Sequence, residues 1–251
     1  MAAAGSRAQP TAAAVKAAID DLADPARAVS SASFFKTGPG QYGEGDRFVG
    51  VTVPAQRKVA KAFRGLDRVG VTELLASDIH EHRLTGLFLL RSGFESAAKL
   101  GQSADTERRA WVQCYLDAVF AGRVDNWDLV DSSAEYILGE SLVGQDHSYL
   151  FDLADEEDLW RRRVAVLATF AFIKRGDGQT LLALAPRLLD DRRDLIQKAV
   201  GWMLRETGKR VDRDLLIGFL DAHASQMGRT ALSYATEHLT AEQRAHYRAL
   251  R

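Results

Sequence analysis

Cysteine is almost missing from this chain. Cys114 stands alone among 251 residues, so no internal disulfide can form. That suits a reducing compartment, and the expected location is the cytoplasm. Cys114 shares an apolar stripe with Trp111 and Tyr115, which reads as a small buried thiol. No apolar run approaches the roughly 18 to 20 residues that span a bilayer, so no membrane partner is expected. The Ala-rich start carries Arg7 but no strongly apolar segment, and residues 1–12 read as a flexible tail rather than a secretion signal. The six histidines, His80, His82, His147, His223, His238 and His246, include no i,i+4 pair and no neighbouring cysteine, which argues against a zinc site. Gly-x-Ser-x-Gly is absent, as is the Gly-Lys-Ser/Thr of a phosphate loop. Gly38, Gly40 and Gly43 satisfy Gly-x-Gly-x-x-Gly, but no strand precedes them and no apolar helix opens at the third glycine. Neither a metal nor a cofactor is expected.

Strands are equally scarce. Apolar residues recur at spacings of 3 and 4 in Val15 to Leu22, Val59 to Phe63, Leu84 to Leu90, Trp111 to Phe120, Leu129 to Leu142, Val164 to Ile173, Leu195 to Leu204 and Leu215 to Leu220. Asp24-Pro25, Val53-Pro54, Asp105 and Thr240 mark helix starts. Phe48 to Val53 is short and isolated, an extended connector. Roughly a dozen helices with short joins predict an all-α chain: a curved solenoid of degenerate HEAT-like antiparallel helix pairs with a concave basic groove, in one domain over 13–251. An irregular helical bundle is the alternative.

Net charge is -1, yet the charges are segregated. Asp125 to Asp158 holds eleven acidic residues and no lysine or arginine, whereas Leu159 to Arg213 holds thirteen basic against six acidic. Gln41 to Gly70 has six basic against three acidic. Such segregation can build a positive groove for phosphates on a neutral protein. Solvated helix faces that pair with one another would look the same in sequence.

Four stretches carry candidate chemistry. In Asn126-Trp127-Asp128-Leu129-Val130-Asp131, Trp127 and Asp131 lie four apart and share one helix face, an aromatic plate beside a carboxylate. Asp128 is a second candidate carboxylate. The same residues also suit a cap, a core anchor and a solvated charge. Leu159-Trp160-Arg161-Arg162-Arg163 opens an apolar helix with three arginines. Ile196 to Glu206 holds Lys198, Trp202 and Arg205, with Gly201 inside the helix at a cost of about 1 kcal/mol that a close neighbouring backbone could offset. The glycine-rich segment Phe34 to Asp46, with Lys36, Gly38 and Gly40, can approach a ligand or phosphate backbone closely.

Taken together, Phe35 to Asp46 with Phe48, Gly50, Val51 and Val53-Pro54, then Arg57-Lys58, Trp127-Asp128, Val130-Asp131, Trp160 with Arg163, and Ile196 to Ala199 with Gly201-Trp202 and Leu204 to Glu206, resemble the AlkD-type DNA alkylation repair family, the HEAT-like-repeat DNA glycosylases. The resemblance runs from about residue 15 to the C-terminus. It implies hydrolysis of the N-glycosidic bond of alkylated purines such as N3-alkyladenine and N7-alkylguanine in duplex DNA, by a monomer associated with the nucleoid. Asp131 would be the catalytic carboxylate, Trp127 and Trp202 would pack around the lesion nucleotide's sugar, and Arg163 would contact the backbone. Arg205, Lys198, Lys36, Gly38 and Gly40 complete the expected DNA-binding set. Where some relatives carry a tyrosine before the loop, this chain has Phe34-Phe35. A non-catalytic binder of altered DNA and a protein-binding HEAT scaffold remain the alternatives.

Overall fold

The computed structural model describes residues 9–250. Residues 1–8 of the expected tail lie outside the described residues, and Ala12 already belongs to the first helix. The described residues are all-α, apart from a single bridge between Arg47 and Ile79. They gather into two compact units, one ending at Ser132 and the other starting at Ser133. No helix among them is long and apolar enough to cross a membrane.

The first unit contains α1 (Ala12–Asp20), α2 (Pro25–Phe34), α3 (Val53–Ala62), α4 (Arg68–Leu75), α5 (His80–Ala97), α6 (Ala104–Phe120) and α7 (Trp127–Asp131). Packing follows chain order, as in a solenoid: α4 and α6 lie on α5, and α3 packs on α5 and α1. Local chemistry sets the helix starts. Asp24 accepts the Arg27 amide at 3.0 Å ahead of Pro25. The helix expected at Asp105 begins one residue earlier, behind a short 3-10 turn.

The second unit contains α8 (Glu140–Leu142), α9 (Ser148–Asp155), α10 (Leu159–Ala168), α11 (Phe170–Ile173), α12 (Gln179–Leu184), α13 (Asp194–Arg210), α14 (Arg213–His223), α15 (Arg229–Ala235) and α16 (Ala241–Ala249). Thr240 opens α16 with a full capping box. Long α13 is the hub, packed on α10, α14 and α15. Its approach to α15 explains Gly201, where a Cβ would collide with the Ala231 carbonyl and the Tyr234 side chain.

Two expected helices are broken. Leu129 to Leu142 divides into α7, a π-helical turn over Glu135–Gly139 and α8. Val164 to Ile173 divides at Thr169, whose hydroxyl bonds the Val166 carbonyl at 2.6 Å. Apolar spacing runs unbroken through both sites, so periodicity alone does not reveal them. Cys114 is half-buried rather than fully buried. Burial raises its pKa, and the thiol lies 3.4 Å from the Thr72 hydroxyl.

Candidate functional site

Helix α7 has five residues, too few to hold themselves in water. Its start is pinned from below instead. Asn126 is fully buried and caps the helix by accepting the Trp127 amide at 2.9 Å, while its own amide donates to Asp46 at 3.1 Å. Asp128 accepts the Leu129 amide at 2.9 Å through one oxygen and meets Nε2 of His80 at 2.9 Å through the other. His80, 2% exposed at the start of α5, reaches Asp46 through Nδ1 at 2.6 Å. Arg83, one turn further on, donates to Asp46 at 2.8 Å and to Asp125 at 3.1 Å.

This is a buried ionic cluster with defined protonation. Burial works against a charged His80, but the hydrogen bonds to Asp128 and Asp46 outweigh it and push the pKa up to about 9. Burial likewise raises the Asp46 carboxyl, and the bonds and charges of His80 and Arg83 override it, leaving the pKa lowered. Both ring nitrogens of His80 therefore carry protons at neutral pH and donate to carboxylates on opposite sides. Glu81 extends the anchorage by accepting the Val49, Gly50 and Val51 amides at 3.0, 2.7 and 3.2 Å. The connector before α3 is thus fastened to α5 by a carboxylate, in place of a strand partner.

Above the cluster stands an aromatic stack. Phe35 lies nearly parallel to Trp127 at 5.3 Å and to Phe48 at 4.9 Å, and it also touches the His80 ring. Phe34 meets Trp127 edge-on at 6.0 Å and is 65% exposed. Trp127 and Asp131 are both half-buried, one turn apart on α7. The glycine-rich loop turns back onto this stack through Gly43, where a Cβ would collide with the Phe35 carbonyl. Its amides are largely occupied: Gly38 donates to Gln41 at 3.0 Å and Gly40 to Glu44 at 2.8 Å. Lys36 is exposed, with its ammonium 5.8 Å from the Tyr42 ring and its backbone left-handed at φ 53°.

In the second unit, Lys198, Trp202 and Arg205 share α13. Trp202 is half-buried and meets Phe170 edge-on at 5.9 Å. Arg205 is engaged by Glu206 at 3.1 Å and by Glu237. Lys198 pairs with Asp194 at 2.8 Å, and both line a cleft of about 560 Å³ with Arg229, Tyr234 and Arg248. Arg163 is only 4% exposed and donates to the Leu195 carbonyl at 2.6 Å, which ties α10 to the start of α13.

Sequence gives His80 and Arg83 no site role, and it offers Asp46 and Asn126 only as ends of the Phe34–Asp46 and Asn126–Asp131 stretches. One signal was available: His80-Glu81-His82-Arg83, four polar residues leading into the apolar run of α5, are all buried. No group of three metal-ligating side chains able to hold an ion occurs among the described residues.

Fold and site together define an all-α protein with a short tryptophan-carboxylate helix braced by buried charge. The same fold occurs in the solved structure of a "Predicted DNA alkylation repair enzyme from Enterococcus faecalis", which is 15% identical with a TM-score of 0.67 over 88% of this chain and 98% of that one. Residues 15–239 match the family model described as "DNA alkylation repair enzyme". The chain belongs to that family. Among curated proteins, none matches it.

Proposed function

We propose that this chain is a monofunctional DNA glycosylase that hydrolyses the N-glycosidic bond of positively charged alkylpurines, N3-alkyladenine and N7-alkylguanine, in duplex DNA. The observation that carries the reading is Asp131 one turn from Trp127 on a helix held rigid by the His80 cluster. An N3- or N7-alkylated purine already bears positive charge, so its departure needs no general acid. One carboxylate then suffices where ordinary glycoside hydrolysis employs two. As the bond lengthens, positive charge moves onto the sugar. Asp131 stabilises that oxocarbenium-like state and orients the attacking water. The Trp127 face adds attraction for electron-poor C–H groups and for the cationic base.

Trp202 joins the catalytic set through the family resemblance, as do Lys198, Arg205, Lys36, Gly38 and Gly40 as DNA-binding residues. The burial of Arg163 suits an indirect contribution to DNA binding, by bracing α10 against α13. In this reading the lesion is processed without a deep base-flipping pocket, the protein gripping the backbone instead.

The test is base release from duplex containing N7-methylguanine. Asp131→Asn should lose about a hundredfold or more of the turnover while still binding DNA, because the substitution leaves the cationic residues in place. Release by Asp131→Asn at the wild-type rate would remove the carboxylate from the mechanism. Tight binding by wild type with no release would replace the enzyme with a non-catalytic reader of altered DNA.

A further inference from the structure

Both anchors of α7 lead back to one imidazole ring. Asp128 meets Nε2 of His80 directly at 2.9 Å. Asn126, the cap, donates to Oδ2 of Asp46, the same oxygen that receives Nδ1 of His80 at 2.6 Å. His80 is also held through its backbone, whose amide donates to the Arg47 carbonyl at 2.8 Å. The second oxygen of Asp46 accepts the Arg47 amide at 3.0 Å and Arg83 at 2.8 Å, so this carboxylate is held by four donors. The end of the glycine-rich loop, the start of α5 and the start of α7 are therefore locked to one another around His80.

The lock works only while the ring carries two protons. A neutral imidazole has one N–H and one lone pair. On losing a proton, His80 would keep a donor for either Asp46 or Asp128 and turn a lone pair towards the other carboxylate. Asp46 faces the ring from the loop and Asp128 from α7, while Arg83 on α5 bonds Asp46 and, at 3.1 Å, Asp125 from the segment before α7. Two cations thus meet three carboxylates, and a neutral His80 would leave Arg83 alone among them. No other cation pairs with Asp128 among the described residues. The Phe35 and Phe48 rings lie 5.1 and 4.4 Å from the imidazole, which is 2% exposed, so water has little access to replace either bond. Asp131 follows Asp128 by three residues on the same five-residue helix, so a shift at Asp128 carries to it.

We infer that His80 is a positioning residue for base excision: its doubly protonated ring sets α7 in the place from which Asp131 acts, and turnover depends on it more than grip on DNA does. The inference rests on the glycosylase reading above. It divides the work, with Asp131 meeting the charge that develops on the sugar and buried His80 fixing where Asp131 stands. It also gives turnover an alkaline limit that Asp131 cannot supply, because a carboxylate only becomes more fully ionised as pH rises.

The experiment measures single-turnover release of N7-methylguanine from duplex at several pH values between about 6 and 9.5, with enzyme in excess and enzyme-free release subtracted. Fluorescence anisotropy gives the affinity for an unmodified duplex under the same conditions. Wild type is compared with His80→Gln and His80→Arg, and circular dichroism confirms that each keeps its helices. Wild-type turnover should fall about fourfold between about pH 7.5 and 9.5, as the doubly protonated fraction of a group titrating at about 9 does, with affinity changing by less than about twofold. His80→Gln has no charge and cannot donate on two opposite sides. It should lose about tenfold or more of the turnover at every pH while keeping its affinity. His80→Arg keeps charge and several donors throughout the range, so it should recover most of the turnover and lose the alkaline fall.

Wild-type turnover that stays level up to about pH 9.5, an alkaline fall that survives in His80→Arg, or His80→Gln turnover within about twofold of wild type each overturns the inference. A loss of affinity in His80→Gln that matches its loss of turnover overturns it too, by making His80 part of the grip on DNA. Should His80→Gln fail to fold, the wild-type and His80→Arg profiles decide. Release of base by none of the three proteins removes the glycosylase reading and this inference with it, whereas release by wild type with any of the preceding outcomes removes this inference alone.

Discussion

Trp127 and Trp202 are both half-buried indoles on helices, but their supports differ. Trp127 sits on a helix of five residues, stacked on Phe35 and anchored through Asn126 and Asp128 to buried His80 and Asp46. Trp202 sits on a helix of seventeen residues that packs closely on α15 at Gly201 and carries partly exposed ion pairs at Arg205 and Arg210. A single turn cannot offset the entropy of its own ordering, so α7 borrows rigidity from charge placed beneath it. A long helix is ordered by its apolar face, and its charges can remain at the rim. The difference locates fragility: α7 depends on a few groups at defined protonation, whereas α13 depends on shape.

Removing His80 should therefore break the first tryptophan's support outright. His80→Ala leaves Asp46 and Asp128 without their shared donor, and losing one partner of a buried ionic set costs about 3 kcal/mol, the lower end of the usual range because Arg83 still holds Asp46. Urea unfolding measures it, and a loss below about 1 kcal/mol would show that α7 does not rely on the cluster. The pH dependence carries the same signature. The folded pKa of His80, about 9, lies above its ordinary value of 6.5. Its stabilisation is thus complete below about pH 6.5 and fades as pH rises through about 9. Wild type should lose stability across that window, and His80→Ala should lose much less.

Gly201→Ala tests the second tryptophan's support. Alanine gains about 1 kcal/mol in helix propensity. Its Cβ, however, would collide with the Ala231 carbonyl, and backbone cannot move aside as a side chain can. Overpacking of this kind costs about 1 to 3 kcal/mol, so the variant should be less stable despite the better helix former. A thermal midpoint above wild type would mean that α13 and α15 are less tightly packed than the structure has them.

Much of this architecture was legible in the chain. The 3- and 4-residue apolar spacing identifies the all-α class, and Asp24-Pro25 and Thr240 mark their helix starts by side-chain chemistry that acts within three residues. What escaped depends on contacts far apart in sequence. The His80 cluster joins residues 34 and 48 apart, and Asn126 reaches 80 residues back to Asp46. The excess of positive charge after Leu159 is hidden for the same reason: Lys174 pairs with Glu135, 39 residues back, and Arg175 with Glu140, 35 residues back, so charges counted in separate stretches cancel in space. The Trp127-Asp131 pair was visible because both lie within one turn. The charged support beneath it lies in α5, where His80 and His82 stand two apart without ligand spacing and find their carboxylate partners only in the fold.

The smallest expected effect sharpens the contrast from the α13 side. Arg205 and Glu237 form an ion pair whose side chains are 18% and 53% exposed. Water screens the glutamate, and both long side chains lose freedom in meeting, so the coupling should be between 0 and about 1 kcal/mol. A double-mutant cycle with Arg205→Ala and Glu237→Ala isolates it, since Arg205 also bonds Glu206 and either single change mixes the two contacts. Coupling above about 2 kcal/mol would place α13 in the same class as α7, held by charge rather than by shape, and the distinction between the two tryptophan supports would disappear.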